Sequence, residues 1–432
     1  SKRTVIVLPL FFFSLHPLLG DKSNIKNDIC IPGKLYMLSD IRNDVFVEAL
    51  IKRWRPYNDF VRFSGDCVYS RKLNRVASVD TPVDGSNMKI ELVNSDEFET
   101  IKEKAISICV GKKGIGTQEV TVQILGDSFV NGAFFRDALL SKNYIPGIKL
   151  VGLRNIKNEE GQYDEGRGGW TVKKYFEIPK GEMTSYHGYM QPVGEYRYWG
   201  SCEFWKNCYK VINGELTDTE IVYNCGRYDQ CITKFDKETG YLAAPKKNDL
   251  MYDNARGSYM VYTGKKWKNV EVDERKWAFN YRKYLDMWNL DAPKFFAQML
   301  GLNDYRDSLT ADYREWNKKI AEMKESYYKA VPDGKFIILI PCTTCGSLNN
   351  IRGDFTLRQN AAMWQLRKNI IDTFDGRESE GYYVVDIGIT IDNEKGYNRN
   401  RDGIQTGNPH PYPNYPTMGI PLAAFIQYYR EL

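Results

Sequence analysis

The stretch VTVQILGDSFVNGAFFRDALL, Val120 to Leu140, decides how the chain is read. An apolar strand-like run ends in Gly126-Asp127-Ser128, and a helical run follows at once. In an open α/β sheet, ligands bind outside the carboxyl ends of the strands, so this turn would present a serine hydroxyl there. The competing reading is an ordinary turn serine, which is what most serines in turns are.

Outward from this stretch the pattern repeats. KLVGLRN, FFAQMLG, KFIILIP and GYYVVDIGI read as further strands. Helical patterns follow the third and fourth strands of the series: SLTADYREWNKKIAEMKESYYKA and LRQNAAMWQLRKNIIDTF. Strands alternating with helices imply an α/β fold, a three-layer α/β/α domain around a parallel sheet. Upstream, VFVEALI, DFVRFSG, KIELV and AISICV are short strands broken by turn residues, which suggests a small Ig-like β-sandwich. The division expected is a leader at 1–29, a β-sandwich at 30–116, and an α/β domain at 117–432. The Gly-, Tyr- and Cys-rich segment at about 190–276 lacks a clear helical period. It is too long for a simple loop and reads as an insertion with its own hairpins.

At 432 residues two or three domains are the prior. Hydrophobic content of 42% and charged content of 27% are those of a globular protein. A net charge of +5, spread without a basic block, argues against nucleic acid as a partner. The 30 tyrosines suit either sugar- or protein-contacting surfaces or a Tyr-rich β-domain. The N-terminal SKRTVIVLPLFFFSLHPLLG is basic and then apolar, but short for a membrane span. It reads as a secretory signal or as an arm that packs on a neighbouring protein. Nine cysteines include two C-x5-C pairs, Cys202/Cys208 and Cys225/Cys231, and a Cys342-x-x-Cys345 element. The first four are candidates for disulfide staples in an oxidising compartment. Zinc is the weaker reading, because knuckle spacings are usually shorter, and the C-x-x-C is a weak redox signal.

A serine nucleophile needs a base, and the chain has three histidines. His16 lies in the apolar leader. His187, in SYHGYMQP, reads as a surface or hydrogen-bonding residue. His410, in the Pro-rich GNPHPYPNYP before a terminal helix, is the preferred base, because a loop can aim a side chain at a rigid sheet. Val130 stands where a G-x-S-x-G elbow would have its second glycine, so an α/β-hydrolase is disfavoured.

Gly126-Asp127-Ser128, the GRGGWT block (166–171), Gly301-Leu302-Asn303-Asp304 and His410 occur in that order. Together they resemble the four blocks of the SGNH, or GDSL, hydrolases, over the chain from about Val120 to the end. Acyl esterases of gut bacteria and their phages, with an N-terminal β-domain, are the nearest resemblance. It implies Ser128 as nucleophile and His410 as general base. It also implies an oxyanion hole made by the Ser128 N–H, a backbone N–H at Gly169 (Gly168 next) and the Asn303 amide. Asp127 would orient the turn. The family's Asp three residues before the histidine is here Gly407, which leaves Asp402, a backbone carbonyl, or a Ser–His dyad.

The function so implied is hydrolysis of an acyl, first of all O-acetyl, ester on a carbohydrate, with no metal or organic cofactor. A secreted, periplasmic or cell-surface location would suit it. The rival is a degenerate domain serving as a surface or virion structural or glycan-binding protein. The oligomeric state is left open.

Overall fold

The structure is a computed structural model. It describes residues 28–52, 59–71, 75–94, 98–132, 134–140, 143–155, 161–181, 185–217, 232–342, 357–392, 396–397, 401, 410–411 and 415–430. The leader through residue 27, with His16, lies outside the described residues, as do Cys225, Cys231, Cys345, Asp402 and Gly407.

Seven strands open the described chain: β1 (Lys34–Leu38), β2 (Asn43–Phe46), β3 (Asp59–Gly65), β4 (Val68–Arg71), β5 (Val76–Val79), β6 (Asn87–Asn94) and β7 (Thr100–Gly111). They form two sheets, ordered β1-β7-β6-β3 and β2-β5-β4. Apolar residues of both, among them Met37, Val45, Val61, Ala77, Ile90 and Ile108, share one core. VFVEALI is strand only in its first half, because Val47–Ala49 closes into a 3₁₀ turn.

The parallel sheet begins with β8 (Val120–Gly126), which runs into α1 (Ser128–Asn131) and α2 (Phe134–Leu140). The expected single helix is therefore two short ones, divided at Gly132, the C-cap of α1. KLVGLRN is strand only over β9 (Ile148–Leu150). A second fragment, β10 (Glu165–Gly166), completes that edge, so both pieces pair with β8, one along each half. The remaining members are β17 (Phe295–Met299), β18 (Lys335–Ile340) and β19 (Tyr382–Asp386), and the order across the sheet is β10-β8-β17-β18-β19 with every pairing parallel. This is a doubly wound order whose switch point lies between β8 and β17, where ligands of such sheets bind.

Between β10 and β17 comes the insertion: β11 (Met190–Pro192), β12 (Arg197–Ser201), α3 (Cys202–Ile212), β13 (Asp249–Asp253), β14 (Ser258–Tyr262), β15 (Trp267–Val270), β16 (Trp277–Phe279) and α4 (Tyr281–Trp288). Hairpins are present, as β13-β14-β15 form an antiparallel meander. The helix α3 corrects the reading of this segment as lacking helical structure. Ser201 caps it by accepting from the Phe204 N–H, and Phe204, Trp205 and Cys208 form its buried stripe. Cys202 and Cys208 are both buried on that helix.

The chain then enters β17 (Phe295–Met299), α5 (Leu302–Tyr305), α6 (Arg314–Ala330), β18 (Lys335–Ile340), α7 (Leu357–Phe374), β19 (Tyr382–Asp386) and α8 (Tyr415–Arg430). Successive strand residues show the layers. Phe295 packs edge-on to Phe425 of α8, while Phe296 packs on Tyr327 of α6. The fold is thus three-layer α/β/α. The N-terminal sheets rest on this body through Tyr36 against Phe425 and through the Trp364 indole, which donates to the Leu50 carbonyl.

Many of the described tyrosines are interior. Tyr175, Tyr186, Tyr189, Tyr198, Tyr281, Tyr284 and Tyr327 are wholly buried. Three of them explain why a glutamine interrupts the apolar β8. The Gln123 side chain accepts from the hydroxyls of Tyr189 (3.0 Å) and Tyr281 (2.8 Å) and donates to that of Tyr284 (3.0 Å). A buried amide is tolerated when its hydrogen bonds are made.

Candidate active site

Ser128 stands at the first residue of α1, just past the carboxyl end of β8. The turn is held by Asp127, whose carboxylate accepts the Phe129 N–H at 3.0 Å as an N-cap. Three glycines permit this geometry. A Cβ on Gly126 would fall 2.6 Å from a methyl of Val130, and one on Gly301, at φ +119, would fall 2.6 Å from Leu366. A Cβ at Gly166 would fall 2.1 Å from the backbone nitrogen of Asn131. Of the block's glycines, Gly166 is therefore required by packing. Gly169 is the one with left-handed backbone, φ +73, and it is exposed in a turn.

His410 reaches this point from 282 positions away in the chain. Its Nε2 lies 2.9 Å from Ser128 Oγ. The imidazole packs on Phe129, ring centroids 5.0 Å apart, and burial holds its pKa below the ordinary histidine value. A partly desolvated imidazole favours the neutral form, which is the form that can accept a proton.

Asn303, on the short α5 after β17, completes the cluster. Its amide nitrogen donates to the Trp170 carbonyl at 3.2 Å and to Asp127 Oδ2 at 3.4 Å. Asp304 beside it accepts the Val172 N–H at 3.1 Å. Three of the four blocks are thus tied directly: the first to the second and third through Asp127, Asn303 and Trp170. The fourth joins through the Ser128–His410 contact. Burial raises the Asp127 carboxyl to about 7, with the Asp304 charge acting in the same direction, and raises Asp304 to about 6.

His187 is elsewhere. It is neither at the surface nor beside Ser128, being 1% exposed with its Nε2 2.9 Å from the Glu177 carbonyl oxygen. Burial drives its pKa down to about 3. Trp170, Tyr175 and Tyr189 surround its ring. Trp170 is also a packing residue, and its backbone carbonyl, not its indole, meets Asn303.

One support under the site was missed in the sequence: Glu165 and Arg167, either side of Gly166. They form a wholly buried ion pair at 2.7 Å. The Arg167 guanidinium lies 5.2 Å from the Trp170 ring and donates to Ser185 Oγ at 3.1 Å. Glu165 Oε1 accepts the Leu153 N–H at 2.8 Å and the Tyr284 hydroxyl, which links the pair to Gln123. A Glu-Gly-Arg triplet beside a glycine block was the available signal, though its charges read as solvated until the fold buries them. No group of metal-ligating side chains occurs among the described residues. Nor is any helix among them long and apolar enough to cross a membrane.

No known family profile matches the chain, and no curated protein does. Solved structures do match. A carbohydrate esterase family 3 protein from Talaromyces cellulolyticus aligns over 72% of this chain and 99% of its own, at 13% identity and TM-score 0.31. A peptidoglycan O-acetylesterase aligns over 73% and 93%, at 12% identity and TM-score 0.32. A salicylyl-acyltransferase from a tetracycline biosynthetic pathway aligns over 90% and 78%, at 8% identity and TM-score 0.26.

Proposed function

We propose that this chain is a serine esterase of the SGNH type that removes an acyl group, O-acetyl first among them, from a carbohydrate. The observation that carries the reading is the 2.9 Å contact between Ser128 Oγ and His410 Nε2 at the switch point of the sheet. His410 takes the Ser128 proton as the oxygen attacks the ester carbonyl, and a tetrahedral oxyanion forms. It then gives that proton to the departing sugar oxygen, leaving an acyl-serine. Water, deprotonated by the same imidazole, adds to the acyl carbon; the bond to Ser128 Oγ then breaks, the imidazolium returns its proton to that oxygen, and the carboxylic acid is released.

The oxyanion would be met by the Ser128 N–H, a backbone N–H near Gly169 and the Asn303 amide. Of the two bonds that amide makes at rest, the longer, to Asp127, is the one an oxyanion replaces. The carbohydrate follows from the SGNH resemblance of the sequence blocks. A location outside the cytoplasm belongs to the same proposal.

A fluorophosphonate probe read by intact mass tests the reading. Wild type and His187→Gln should gain one adduct, while Ser128→Ala and His410→Ala should not. An unlabelled, folded wild type would remove the esterase and leave the degenerate binding domain. Hydrolysis of acetylated xylan and acetylated peptidoglycan then assigns the polymer.

A further inference from the structure

The insertion holds a cavity of about 390 Å³ that shares no lining residue with the Ser128 cluster. This volume lies within the range of about 300–1,000 Å³ common to small-molecule sites. Arg197 and Trp199 of β12 form one wall, Lys234 and Lys246 approach from the intervening loops, and α4 contributes Asp286.

The wall is organised before any ligand arrives. Asp249, 2% exposed, accepts from Arg197 Nε at 2.8 Å, from the Trp199 indole at 3.0 Å and from the Lys246 backbone N–H at 2.6 Å. Its charge is committed within the wall. By contrast, neither Lys234 nor Lys246 has an ion-pair partner among the described residues. The Lys234 ammonium stands 5.9 Å from the Trp199 ring and 5.7 Å from the Trp288 ring. Asp286 is engaged by Arg282 at 3.9 Å.

We propose that this cavity is a second binding site, for a sugar carrying one carboxylate. The aliphatic wall of Leu242, Ala243, Ala244 and Met287 gives the apolar face of a pyranose ring a surface to lie on, and the two lysines meet its acid group. With Asp249 committed to Arg197 and Asp286 to Arg282, Lys234 and Lys246 are the cations that remain, among the described lining residues, to meet the acid group of the sugar.

Isothermal titration of the intact chain with methyl β-D-glucuronide, methyl β-D-glucoside and glucose 6-phosphate tests this. The glucuronide should bind at least about tenfold more tightly than the glucoside. The Lys234→Ala/Lys246→Ala protein should lose that preference while keeping its melting temperature. Ala244→Trp, which fills the cavity from an exposed position, should abolish binding of both glycosides. Ser128→Ala should bind as wild type, so the result stands apart from the esterase reading. Equal affinity for both glycosides, a preference that survives the lysine substitutions, or tighter binding of the phosphate would each overturn the proposal.

Discussion

Gly166 of β10 and Asn131 of α1 approach so closely that a Cβ on the glycine would lie 2.1 Å from the asparagine's backbone nitrogen. The second block of the site is thereby clamped against the helix that begins with Ser128. A Cβ is fixed by its own backbone and the atom it would meet is main chain, so no side-chain rotation relieves the clash.

Gly166→Ala should accordingly lower stability by about 1–3 kcal/mol, the usual range for overpacking. Thermal melting checks it. Fluorophosphonate labelling of the folded variant should also slow, since β10 and α1 must move apart. An unchanged melting temperature would mean that the two elements are not held as described.

Asn303→Ala removes a neutral donor from the place where charge would develop on the substrate oxygen. A fall in kcat of about 10²–10³-fold is expected, with little change in KM. Steady-state kinetics on a chromogenic acetyl ester separates the two. A rise in KM at constant kcat would make Asn303 a ground-state contact.

As the proposed base, His410 must be neutral to act, so activity should be lost as pH falls through its pKa. Burial disfavours the imidazolium and sets that pKa below the ordinary 6.5. The acid limb of kcat/KM should therefore bend below pH 6.5, and activity should persist into mildly acidic solution. A bend above 6.5 would require a carboxylate stabilising the imidazolium.

Arg167→Met leaves Glu165 buried without its cation. A loss of about 3–5 kcal/mol is expected, against a much smaller loss in the Glu165→Gln/Arg167→Met protein. Chemical denaturation of the three proteins gives the comparison. Equal losses in the single and double variants would show that the guanidinium acts through Trp170 and Ser185 alone.

The main elements were legible because their signals are local. β8, β17, β18 and β19 are predominantly apolar runs, as strands buried on both faces are. What failed were the segments whose structure depends on distant partners. β10 is two residues long and exists because β8 offers an open edge along its second half. The stripe of α3 was lost among tyrosines and tryptophans that are apolar on every side once the insertion packs. His187, as polar as His410 in a sequence, is enclosed by aromatic rings contributed by the insertion and its flanks.

The sequence alone determined the order of chemical groups: a serine after the first sheet strand, glycines after the second, an asparagine after the third and a histidine before the last helix. Local residue type suffices for that, since turns and strand ends are set by neighbours in the chain. Only the tertiary structure decided which of these groups meet. It brought His410 within 2.9 Å of Ser128 across 282 positions. It also buried Glu165 against Arg167 beneath them. Parallel winding gathers strand ends at one edge, and burial, which no single segment can impose on itself, turns ordinary charges into supports.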